Sequence, residues 1–172
     1  MSDKYTFKDY DKYLCLKPGL EFWLMALFFL RPLILKFSTI QRGRGAKSAS
    51  VSKLYDLAYP DHFIFFLAVM AAIPAIMLLV SYAKRIPGAS ERMQKIWCNG
   101  LKYLGLTAIL NVLVVFLPIF MGKIHAVHVY GWIQLGILIL IMGYLYKSER
   151  LRDAFADFPV ETEDDRNQAK KA

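Results

Sequence analysis

A chain of 172 residues that is 56% hydrophobic and 15% aromatic, with a mean hydropathy of +0.34, is too apolar for a disordered chain and for most soluble domains. Its net charge of +8 lies beside apolar runs, with no basic stripe carrying interleaved stacking aromatics. That argues against nucleic acid as a partner and points to anionic lipid head groups. Cys15 and Cys98 have no CxxC spacing, so neither a redox pair nor a thiolate metal site is expected.

Residues 1–19 alternate charges with aromatics and read as a solvated tail touching head groups. Phe7, Tyr10 and Leu14 fall at helical spacing, so a short interfacial helix is the alternative. No apolar core with a small-residue cleavage site is present, so insertion is expected to fall to the first apolar span. That span is expected at about 20–40, although Arg31-Pro32 interrupts the run after Phe22–Leu30. The remaining apolar residues can offset one off-centre arginine, which costs about 2.5–3.5 kcal/mol. Pro32 removes a backbone bond and frees the Phe28 carbonyl, which predicts a kink. A re-entrant hairpin broken at Arg31-Pro32 is the alternative.

Residues 41–58 are basic and rich in Gly and Ser, and read as an exposed loop. The GRG within them lacks the GK[ST] and strand-to-helix setting of a phosphate cradle. Pro60-Asp61 then opens a second span at 62–83. Its core, Phe63–Val80, carries no charge and spans roughly 27 Å as a helix, against a hydrocarbon core of roughly 30 Å. Ala68/Ala72 and Ala71/Ala75 form small-xxx-small pairs that favour close helix approach, and Pro74 predicts a second kink. Residues 84–100 form a basic connection. The third span, 103–122, holds Asn111 at its centre, where it is expected to bond across the bundle. The short turn GKIHAVH makes the fourth span, 126–146, antiparallel to the third. Gly136 and Gly143 share a face there and read as a packing surface. Beyond Lys147 the helix is expected to continue as far as Pro159, and residues 160–172 are disordered by composition.

The expected fold is therefore all-α: a polytopic membrane protein of four transmembrane helices with an N-terminal tail (1–19), a membrane domain (20–150) and a polar, partly disordered C-terminal tail (151–172). The N-terminal tail, the loop Lys84–Lys95 and the stretch Lys147–Arg152 carry eleven Lys and Arg, against five (Arg42, Arg44, Lys47, Lys53, Lys123) on the opposite side. The positive-inside rule places both termini in the cytoplasm. Trp23, Tyr82, Trp97 and Tyr144 then mark the cytoplasmic interface, with Phe63 and Trp132 at the outer one.

This orientation gathers His62, His125 and His128 on the outer side beside Asp61, a donor set that suits a metal. The plain alternative is that these histidines face water. Arg31, Lys36 and Asp61 form a candidate site for an anionic lipid head group. Arg31 needs acceptors, and the Phe28 carbonyl, Asn111, and a head group or Asp61 are the candidates. Expected packing residues are Ala68, Ala72, Asn111, Gly136 and Gly143. No catalytic spacing and no cofactor motif is found. A haem between helices would need histidines deeper than His128.

Leu30-Arg31-Pro32, Tyr59-Pro60-Asp61 and Ile73-Pro74-Ala75 together resemble the YfeZ-like family, small bacterial inner-membrane proteins grouped under a domain of unknown function. The likeness covers the first three spans. It implies a multi-pass protein of the bacterial inner (plasma) membrane and transfers no activity. The expected role is that of a non-enzymatic accessory, assembly or lipid-contacting protein. Its partners would be membrane lipids, anionic ones included, a further membrane protein or copies of itself. The alternatives are a small oligomeric transporter, favoured by prolines in three spans, and a metal- or lipid-dependent enzyme using the outer histidines.

Overall fold

The computed structural model describes residues 5–41, 49–59, 61–122, 127 and 129–159. Helices form wherever the long apolar runs lie: α1 (Leu20–Gln41), α3 (His62–Ala83), α5 (Gly100–Phe120) and α6 (Val129–Lys147). Shorter helices sit between and after them: α2 (Ala49–Ala58), α4 (Glu91–Cys98) and α7 (Glu149–Ala156). Apart from these and a single 3₁₀ turn at Phe7–Asp9, the regular pairing among the described residues is one isolated bridge, Tyr10 to Leu16.

Among the described residues three helices are long and apolar enough to cross a membrane, α3, α5 and α6, and not the four expected. α1 matches them in length at 22 residues but carries Glu21, Arg31 and Lys36. The helix nevertheless runs on through Pro32, so the chain does not double back there. Pro74 and Pro118 likewise lie inside α3 and α5.

α3 lies at the centre and packs on α1, α4 and most extensively on α5, with α6 on the far side of α5. Its buried face is built from Ala68, Ala71, Ala72 and Ala75 with Leu78, short side chains that bring neighbouring backbones close. The core has two parts. One gathers Phe22, Phe29, Leu78, Trp97, Leu104 and Phe155 at the end where α4 and α7 pack. The other gathers Tyr55, Tyr59, Ile64, Ala68 and Val114 at the opposite end.

Four stretches differ from their expected form, for one shared reason. Residues 49–58 are helix α2, with Tyr55 and Ala58 buried, instead of exposed loop; residues 42–48 lie outside the described residues. The connection after α3 contains α4, which buries Trp97 completely (0% exposed) instead of leaving it at a membrane interface. The N-terminal segment is docked, with Cys15 and Leu16 buried, and is not a solvated tail. Ser148 interrupts the last helix and caps α7, whose Leu151, Ala154 and Phe155 are buried. In each case a short polar stretch carries just enough apolar side chain on one face to cover an end of the bundle.

Candidate functional site

Mid-helix polar residues from three elements meet inside the apolar layer. α1 brings Arg31, α5 brings Thr107 and Asn111, and α6 brings Gln134. Arg31 Nη2 donates to Asn111 Oδ1 at 3.3 Å. Asn111 Nδ2 donates to the Thr107 carbonyl at 2.9 Å, which fixes the amide so that its oxygen faces the arginine. Gln134 Nε2 donates to the Asn111 carbonyl at 3.2 Å and ties α6 to the same turn. Thr107 Oγ1 donates to the Tyr103 carbonyl at 2.8 Å. Thr107, Asn111 and Gln134 are all buried, and the two bonds that Asn111 and Gln134 donate to backbone carbonyls are shielded from competing water.

Aromatic rings complete the surroundings of Arg31. Its guanidinium carbon lies 4.3 Å from the Phe28 ring centroid and 5.9 Å from that of Tyr130, distances at which a ring face attracts a cation. Of the acceptors expected for Arg31, Asn111 is used, and Phe28 contributes its ring. Arg31 Nε is buried without a hydrogen bond. Among the described residues no carboxylate lies within ion-pair distance of it. Tyr59 is 5% exposed, and its hydroxyl makes no hydrogen bond of good geometry. Burial pushes the Tyr59 hydroxyl up to about 12, against the opposing pull of the Arg31 charge.

Beside this group a cavity of about 60 Å³ is bounded by Tyr59, Ile64, Pro118, Tyr130 and Gln134. A site needs roughly 10–15 Å³ to hold a water, so the cavity admits a few waters to its tyrosine and glutamine edges. Lys36 stands further along α1, its Nζ 5.1 Å from the Tyr55 ring centroid and 5.6 Å from that of Phe65. Asp61 caps α3, its carboxylate accepting the Phe63 N–H at 3.3 Å. His62 is exposed at the start of the same helix.

His125 and His128 lie outside the described residues, and among those described no group of three or more potential metal ligands occurs. Ala68 and Ala72 are buried between helices. Gly136 and Gly143 face outward, with no atom within 4 Å of where a Cβ would stand. Gln134 is absent from the sequence-derived set, although a lone amide inside an apolar run is the same signal that singled out Asn111. Tyr59 and Tyr55 carried no such signal, since aromatics near span ends read as interface residues.

Among the described residues the arrangement holds a positive charge within the helical layer on neutral groups, Asn111 Oδ1 and two aromatic rings. Among those same described residues it contains no nucleophile beside a base and no pair of carboxylates.

The model of a family described as protein of unknown function (DUF2919) matches residues 5–157, and the chain belongs to that family. That description assigns no activity, and the YfeZ-like name is not part of it. No curated protein and no solved structure matches the chain.

Proposed function

We propose that this DUF2919 protein is a non-enzymatic, multi-pass protein of the bacterial inner membrane, an accessory or assembly component that holds an anionic lipid head group at Arg31. One observation carries the reading: among the described residues the Arg31 guanidinium meets neutral groups, Asn111 Oδ1 and the neighbouring Tyr59 hydroxyl, and its Nε is buried and unbonded. Charges at membrane depth are costly and mark functional sites when they lack a fixed counter-charge. Lys36 lies five positions further along α1 and provides a second cation on the path toward the nearer interface.

In this reading α1 is the fourth crossing. Its 22 residues make a helix of about 33 Å, and its two deep cations are covered by aromatic rings and Asn111. The charge asymmetry of the loops favours cytoplasmic termini. The YfeZ-like likeness supports the bacterial inner membrane, and the outward Gly136/Gly143 face favours a second copy or a membrane-protein partner.

Arg31→Leu is the test. The variant should insert and fold normally but lose the anionic lipid that copurifies with the wild-type protein in mild detergent, as measured by lipid mass spectrometry. Equal lipid content in the two proteins sinks the reading.

A further inference from the structure

A second cleft lies at the other end of the bundle, where α4 turns into α5. It is an open concavity of about 350 Å³ lined by Lys95, Ile96, Asn99, Lys102, Tyr103 and Leu106. We infer that it binds the head group of an anionic phospholipid from the leaflet nearest α4 and α7. The inference is independent of the Arg31 reading and concerns the opposite end of the molecule.

The corner is built to hold its shape. The Asn99 backbone N–H donates to the Lys95 carbonyl at 3.2 Å, and Asn99 Nδ2 donates to the same oxygen at 2.8 Å. The next turn begins on Asn99 itself, whose carbonyl accepts from Lys102 and Tyr103 at 2.9 and 3.2 Å. Behind the corner, fully buried Trp97 anchors α4. Lys95 and Lys102, one from each helix of this fixed bend, both line the cleft.

Charge and depth select the occupant. Lys102 forms no ion pair among the described residues. Lys95 Nζ lies 3.3 Å from Glu91, but those side chains are 75% and 85% exposed, so that pairing is weak and exchangeable. Lys102 is the third residue of α5, a helix long and apolar enough to cross a membrane, which sets it at the depth of the head groups. From it the same face of α5 continues outward through Leu106, Ile109 and Leu113, which are 47%, 52% and 52% exposed. Positions four, seven and eleven along a helix lie in line. The cations therefore stand at the top of an open apolar track, with the Tyr103 ring at the level where aromatics favour the interface. A soluble phosphate would use the lysines alone. A phospholipid uses both the lysines and the track, and its phosphate is held where Lys stems lie along apolar surface with their heads at the interface.

The test uses the full-length protein in phosphatidylcholine nanodiscs, titrated with phosphatidylglycerol, and an environment-sensitive fluorophore on Cys98. That residue is exposed beside the cleft, whereas Cys15 is buried. Phosphatidylglycerol should change the fluorescence saturably, and glycerol phosphate should not. Lys95→Gln with Lys102→Gln should weaken the apparent affinity by about fivefold per lysine, and the paired Arg substitutions should preserve it. Leu106→Ser, which leaves the charge unchanged, should also weaken it. Arg31→Leu should leave the response intact, so that failure of the Arg31 reading and failure of this one give different results. An unchanged titration in the Gln variant overturns the proposal. Saturable binding of glycerol phosphate with equal affinity also overturns it, since that outcome describes a soluble-anion site.

Discussion

Arg31 and Asn111 show what one polar contact is worth inside an apolar bundle. A hydrogen bond to a charged group contributes about 1.5–3 kcal/mol, whereas neutral contacts between membrane helices average about 0.6 kcal/mol. Asn111 is held by its own bond to the Thr107 carbonyl, so little reorganisation accompanies its contact with Arg31. Replacing it with Leu leaves the guanidinium on aromatic faces alone. Asn111→Leu should lower stability by about 1–3 kcal/mol, measured by unfolding in detergent. Combined with Arg31→Leu, the loss should be smaller than the sum of the two single losses, because the double variant buries no orphaned charge. Strict additivity would show that the two side chains do not depend on each other. The pairing was legible in the sequence, since two polar residues in apolar spans have few other places to go. The Tyr59 hydroxyl was not, because its burial depends on α2 folding back over the end of the bundle.

Elements divide by length in the same way. α1, α3, α5 and α6 announce themselves through long apolar runs, and the structure departs from the expected bounds by only a few residues. α2, α4 and α7 are ten, eight and eight residues long, too short for composition to separate them from polar loops. What fixes them is a large side chain inserted between the long helices, and Phe155 of α7 is the clearest case. A Cβ on Gly100 would stand 2.4 Å from the Phe155 ring, closer than any relaxed contact. The ring has nowhere to retreat, with Trp97 at 4.9 Å and Phe22 at 6.1 Å, both edge-on. Gly100→Ala should therefore destabilise by about 1–3 kcal/mol, and Phe155→Leu in the same chain should recover part of that loss. Gly105→Ala, where no atom lies within 4 Å, should be neutral or stabilising by up to about 1 kcal/mol. Melting of the purified variants distinguishes these outcomes. Equal effects at the two glycines would mean that α7 does not rest on α5.

At the scale of the whole molecule, the segment before α1 and the residues that follow α7 are fastened to each other through Arg85, which is 5% exposed. Arg85 Nη1 donates to the Leu16 carbonyl at 3.0 Å, and Nη2 donates to the Asp157 carbonyl at 2.8 Å. The guanidinium stands 4.9 Å from the Trp97 ring centroid, and Asp11 lies 3.9 Å away. The Trp97 indole N–H is shared between the Ala154 and Asp157 carbonyls at 3.0 and 3.1 Å. Asp157 Oδ2 accepts the Leu16 N–H at 2.7 Å, and Arg150 pairs with Asp9 at 2.8 Å. The family match, residues 5–157, takes in every residue of this fastening. Its central bonds could not be read from the sequence, because Arg85 and the Trp97 indole are answered by backbone carbonyls that composition does not distinguish. It yields a sharp contrast between two truncations. Ending the chain after Pro159 leaves every bond named here in place and serves as the reference. Ending it after Lys147 removes both indole acceptors, the Asp157 carbonyl and the Phe155 ring. Arg85 would then be buried beside Trp97 with part of its charge unanswered, a situation that costs about 3–5 kcal/mol when one partner is deleted. The shorter chain should melt well below the longer one and expose its N-terminal segment to limited proteolysis. If both truncations melted alike, the long helices would be stable without the fastened ends, and the short helices would serve the surface instead of the core.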